Sequence, residues 1–96
     1  MLHLIFQSPI ETAIFARIAS GDDVVFLENA VLRVAKTGDL NAVLTQLQVT
    51  SHLFVLADAL VIRGISVDDV VSGIAVINYA ELVALTVKNR LIQSWY

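Results

Sequence analysis

Asp22-Asp23-Val24-Val25-Phe26-Leu27-Glu28-Asn29 carries the strongest strand signal in the chain. Val24 to Leu27 are apolar without a break, two carboxylates stand before them, and a Glu-Asn pair closes them. A run with no alternation suits a strand covered on both faces, as in a parallel sheet with helices above and below. Glu28 and Asn29 then fall at the carboxyl end of that strand, the edge on which open α/β sheets place their sites.

Working outward, similar runs flank this one, with helical patterns between them. Leu2 to Phe6 reads as a short strand interrupted by His3. Ser8-Pro9-Ile10-Glu11 is a helix start of the capping-box kind, with Pro9 at the first helical position. Ile10, Ala13, Ile14 and Ile18 keep helical spacing, and Gly21 suits a left-handed C-cap. Asn29 can cap a helix from about Ala30 to Lys36, and Asp39 another from Leu40 to about Leu47. Leu53 to Ala57 is a second buried-type strand, after which Asp58 can cap the turn or two that end at Gly64. Ser66-Val67-Asp68-Asp69 opens a short helix closed by Gly73, and Ile74 to Ile77 is the next strand. Asn78-Tyr79-Ala80-Glu81 opens the last helix. On it Leu82, Leu85, Thr86 and Asn89 follow one side, with Val83 and Val87 on a neighbouring side. Leu91 to Tyr96 fits a final edge strand. All four glycines and the one proline fall at these boundaries. The expected fold is a three-layer α/β/α domain over residues 1–96, with a central, mostly parallel sheet of about five strands. Its crossovers should be right-handed.

Ninety-six residues make one domain. The chain is 57% hydrophobic and 16% charged, against about 25% charged in ordinary soluble domains. A chain this short cannot bury so much apolar surface by itself, and contiguous exposed apolar surface marks interfaces. The composition therefore points to an obligate subunit of an oligomer. A membrane span would need roughly 20 consecutive apolar residues, but Asp58 and Arg63 interrupt the apolar runs. No signal peptide is read at the start, so the expected location is the cytoplasm. The net charge is −3 and the six Lys and Arg are scattered, which argues against nucleic-acid binding. The absence of cysteine excludes disulfides, thiolate nucleophiles, Cys-type zinc sites and persulfide carriage by this chain.

The polar residues at strand exits are Gln7, Ser8, Glu28, Asn29, Asp58 and Asn78. They can converge on one edge, yet capping explains Ser8, Asn29, Asp58 and Asn78 at about 1 kcal/mol each. Glu28 has no such duty, and pairing with a basic residue on a neighbouring subunit is its expected role. His3 reads as buried and hydrogen-bonded and His52 as exposed, and neither has a second ligand at helical spacing for a metal. No G-x-S-x-G elbow and no Gly-rich phosphate loop exist, and no cofactor is called for. Trp95 and Tyr96 suit packing into the domain or an interface, and Val83 and Val87 form the other interface candidate. A competing reading makes the chain a homo-oligomer that binds a small ligand, or acts as a small enzyme, around Glu28 and Asp58.

The chain also resembles the TusB/DsrH family of DsrE-like sulfur-relay subunits nearly end to end. The resemblance rests on Met1-Leu2-His3 with Ser8-Pro9, on Val24 to Asn29 followed by Ala30-Val31, and on Leu56, Asp58, Leu60 and Arg63-Gly64. It continues through Ile77-Asn78-Tyr79, Leu85-Thr86-Val87 and Gln93-Ser94-Trp95. Asn29-Ala30 stands where Asp-Gly is common, and Asn89-Arg90 where His-Pro is expected. The resemblance implies a DsrE-like, flavodoxin-like fold and a non-catalytic role in a cytoplasmic heterohexamer, two copies each of three related chains. Its sister subunits would be of the TusC/TusD or DsrE/DsrF type. In the Tus form such a complex passes persulfide sulfur from a TusA-type donor to a TusE-type acceptor, for 2-thiolation of the tRNA wobble uridine. The Dsr form serves sulfur oxidation. Dsr-type chains carry a cysteine of their own, so its absence here favours the Tus-like role.

Overall fold

The computed structural model describes residues 1–8, 10 and 12–96. Five strands make one sheet: β1 (Leu2–Ile5), β2 (Asp23–Phe26), β3 (His52–Leu56), β4 (Ala75–Ile77) and β5 (Ile92–Trp95). Their order is β4-β3-β2-β1-β5, and every pairing is parallel. The apolar run that decided the reading is the middle strand, buried at all of its positions. In flavodoxin β1 lies between β2 and β3, whereas here it lies between β2 and β5.

Four α-helices are present among the described residues: α1 (Thr12–Ala16), α2 (Asn41–Leu47), α3 (Ala57–Ile62) and α4 (Tyr79–Lys88). The steps from β1 to β4 all run one way, and the step from β4 to β5 crosses back over the sheet. Right-handed crossovers therefore place α1, α2 and α3 on one face and α4 alone on the other. Strand alternation fits this: Phe54 and Ile77 line a cavity with Glu81, Ala84, Leu85 and Lys88 of α4. One helix cannot cover five strands, so this layer is thin.

Several helices differ from their expected form, each for a local reason. Pro9 and Glu11 of the expected capping box lie outside the described residues. Helix α1 stops at Ala16 and does not reach Gly21. The Asp22 carboxylate binds the Ala19 N–H at 2.9 Å and Ser51 Oγ donates to the Ala19 carbonyl at 3.1 Å, which holds the chain in another path. Residues Glu28–Val34 form a 3₁₀ helix with no side-chain cap, because the Asn29 carboxamide oxygen accepts from Arg63 instead. Asp39 likewise takes Arg33 as its partner at 3.2 Å and does not cap α2. Ser66 caps as expected, accepting from the Asp68 N–H, but the helix it opens is a 3₁₀ turn, Val67–Asp69. Helix α4 has the full reciprocal box expected of Asn78 and Glu81, with bonds of 2.9 and 3.2 Å.

Candidate functional site

At the carboxyl edge of the sheet two arginines organise the strand exits. Arg63, at the end of α3, donates from Nη2 and Nε to the Asn29 oxygen at 2.9 and 3.2 Å. It also donates to the Ala59 carbonyl at 3.3 Å, and its Nη2 lies 3.7 Å from a Glu28 carboxylate oxygen. Arg33 Nε donates to Ser8 Oγ at 2.8 Å and Nη1 to Asp39. The structure thus brings Glu28 and Asn29 together through Arg63, and ties Ser8 to Asp39 through Arg33. Asp58 is exposed in the first turn of α3 and makes no capping bond. Asn78 is spent as a cap.

Glu28 is the one non-glycine residue with positive φ among those described, at +52°. Left-handed backbone disfavours a side chain by about 1–2 kcal/mol, and such strain gathers at functional positions. Its carboxylate is 60% exposed. Glu28 is therefore a strained, outward-facing anion at the end of the central strand, with a cation of its own chain beside it.

A general acid or base must stand within hydrogen-bond reach of the proton it moves. The two histidines lie elsewhere: His3 is buried within β1, and His52 opens β3 at the amino edge. Among the described residues no group of three or more His, Cys, Asp or Glu could hold a metal ion. The carboxyl ends of β1 and β5 are closed by Phe6 and Tyr96, whose rings stack with centroids 4.6 Å apart.

The amino edge holds the denser network. Asp22 accepts from the Met1 amino group at 3.1 Å, from His3 Nε2 at 2.8 Å and from the Ala19 N–H. Trp95 Nε1 donates to the other nitrogen of the same ring, His3 Nδ1, at 3.1 Å. An indole N–H can only donate, so Nδ1 accepts and Nε2 carries the proton given to Asp22. Asp23, 1% exposed, accepts from Lys88 Nζ at 3.1 Å and Asn89 Nδ2 at 3.0 Å through one oxygen. Its other oxygen has no hydrogen-bond partner among the described residues. Burial alone would raise the Asp22 carboxyl, but the bonds from His3, Ala19 and the N-terminal amine outweigh it and hold it below the usual range. Burial acts in the same direction on Asp23, and there Asn89 and Lys88 prevail, again lowering it.

The histidines stand as the sequence suggests, His3 buried and His52 exposed. The hub role of Asp22 and Asp23 has one sequence signal, two adjacent carboxylates at the start of a strand that cannot accept unpaired charge. Val83, Val87 and Tyr96 are exposed, and Trp95 is half-buried against its own core.

A family model for DsrH-like proteins matches residues 6–91. Protein TusB of Buchnera aphidicola subsp. Baizongia pistaciae (strain Bp) is 33% identical over 99 residues, spanning 99% of this chain and 100% of the relative. Among solved structures, a protein of unknown function from Methanobacterium thermoautotrophicum superposes with a TM-score of 0.81 at 13% identity. That match covers 98% of this chain and 96% of the other, and shows likeness of fold.

Proposed function

The DsrH-like family is the one to which this chain belongs, and from that premise we propose that it is a structural, non-catalytic subunit of a sulfur-relay complex. It works in the cytoplasm with sister DsrE-like chains of the TusC and TusD type, two copies of each of three chains. A sister chain bears the reactive cysteine. Sulfur passes from a TusA-type donor to a TusE-type acceptor and ends as the 2-thio group of the tRNA wobble uridine.

The observation that carries the reading is a cysteine-free member of this family whose ten-residue helix α4 buries none of its residues. Sulfur carriage needs a thiolate, so the part left to this chain is to shape and hold the assembly. Tyr79, Val83 and Val87 stand exposed at helical spacing along α4, and Val87 is 81% exposed. An outward apolar stripe of this kind marks a contact surface. Glu28, at the strained exit of β2, and Tyr96 add polar and aromatic points of contact.

The test is co-expression with candidate sister chains followed by native mass spectrometry. The expected result is a six-chain complex whose sulfur transfer to an acceptor protein fails when this chain is left out. Persistent failure to co-assemble refutes the reading, as does full transfer by the sisters without it.

A further inference from the structure

The sheet ends on two strands with an unpaired side, β4 and β5. Strand β4 is three residues long, and a short edge offers a poor template for another chain. Strand β5 is different. Leu91-Ile92-Gln93-Ser94-Trp95-Tyr96 carries no charged side chain, no proline and no glycine. Uncharged segments of this length and composition, set on a sheet edge, readily pair with another strand. Leu91, Ile92 and Tyr96 are all exposed, Tyr96 to 77%.

The ladder says which groups point outward. Leu2 N–H donates to the Leu91 carbonyl at 2.9 Å, and Phe6 N–H to the Trp95 carbonyl at 3.0 Å. The main-chain groups of the odd-numbered residues therefore face β1, and those of Ile92 and Ser94 face away from the sheet. The Ser94 carbonyl accepts from the Gln93 side-chain amide at 3.0 Å, an exposed bond that an incoming strand can replace.

We propose that β5 pairs antiparallel with β5 of a second copy of this chain, about a two-fold axis at Ser94. Two five-stranded sheets then become one. This register engages every outward-facing residue of the strand. Ser94 meets its own counterpart in a hydrogen-bonded pair, and Ile92 meets Tyr96 of the copy, giving the longest overlap the outward-facing residues allow. On one face these are Ser–Ser and β-branched–aromatic pairs, both favourable across strands, while Gln93 meets Trp95 on the other. A two-fold contact sets a segment against itself, so any charge in it would meet a like charge nearby. The segment has no charged side chain, and Arg90 lies beyond the overlap. The contact is isologous and closes as a dimer. It stands independently of the sulfur-relay reading.

The absence of native cysteine gives a direct test on the full chain. A hydrogen-bonded antiparallel pair has Cα atoms about 5.5 Å apart, within disulfide reach. Ser94→Cys should therefore oxidise to a covalent dimer. In this register Gln93 and its counterpart are out of step by two residues, about 7–8 Å apart, so Gln93→Cys should link at least about tenfold more slowly. The wild-type chain should sediment as a dimer. Ser94→Pro removes only an outward N–H, which an edge strand tolerates. Losing the two symmetry-related bonds should raise the dimer dissociation constant about tenfold or more, with an unchanged circular-dichroism spectrum. A wild-type chain that sediments as a monomer would overturn the proposal. So would equal cross-linking of the two cysteine variants, or a Ser94→Pro dimer as tight as wild type.

Discussion

Trp95 Nε1 donates to His3 Nδ1 at 3.1 Å across a sequence separation of 92, with the two rings 14° from parallel. The last strand is thereby pinned to the buried network beneath the first. His3 is only 1% exposed, so its nitrogen cannot turn to water if the indole is lost. Trp95→Phe keeps an aromatic ring but leaves that acceptor unpaired, at a cost of about 1–3 kcal/mol. In a chain of this size each kcal/mol lowers the melting temperature by roughly 4–8 °C. Thermal unfolding followed by circular dichroism measures this, and an unchanged midpoint would remove Trp95 from the account of stability.

Asp22 and Asp23 set how the fold responds to acid. Both carboxyls are held below their ordinary value of 3.8 when folded. In the window below that value the unfolded chain binds protons that the folded chain does not, so acid favours unfolding. The stability they supply is complete above about pH 5 and drains as pH falls through 3.8 towards the folded values. Urea unfolding at a series of pH values should show this slope. Asp22→Asn should flatten it and also cost roughly 2–3 kcal/mol at neutral pH, since three donors lose an anionic acceptor. A slope identical to wild type would show that Asp22 titrates alike in both states.

The elements legible in the sequence are those whose cause is local. Three residues of the apolar run, Val24 to Phe26, make β2 the buried middle strand, and the Asn78–Glu81 box starts α4 where the pattern says. What was not legible depends on distant partners. The early end of α1 comes from Ala19, held by Asp22 and by Ser51, the latter 32 positions away. The 3₁₀ form of residues 28–34 comes with an Asn29 side chain spent on Arg63, 34 positions away. Neither link leaves a local pattern. The same holds for the site: Glu28 and Asn29 are conspicuous at the exit of β2, but the arginine that joins them directly follows α3.

Val83 and Val87 allow folding to be told apart from the proposed assembly. Their side chains stand outside on α4, whereas Leu82 and Leu85 pack against the core. A Val83→Lys, Val87→Lys double variant should change the isolated chain's unfolding free energy by no more than about 0.5 kcal/mol per site. In the proposed complex each lysine buried at this face would cost several times that, so co-purification with candidate sister chains should drop about tenfold or more. A complex formed at wild-type yield would clear this face of the contact.

Glu28 offers the sharpest separation of strain from purpose. Its φ of +52° suits glycine, and the Arg63 contact at 3.7 Å is with a carboxylate mostly in water. An exposed pair of this kind contributes about 0–1 kcal/mol. Glu28→Gly gives up that contact and some unfolded-state entropy, about 0.5–1 kcal/mol, but relieves about 1–2 kcal/mol of left-handed strain. The variant should therefore melt at or slightly above the wild-type temperature. Glu28→Ala, which keeps the strain and loses the contact, should melt no higher than wild type. If the carboxylate is kept at this position to meet a sister chain, both variants should weaken assembly alike despite their opposite effects on folding. Glycine and alanine variants that assemble as well as wild type would leave the strained conformation without a contact to serve.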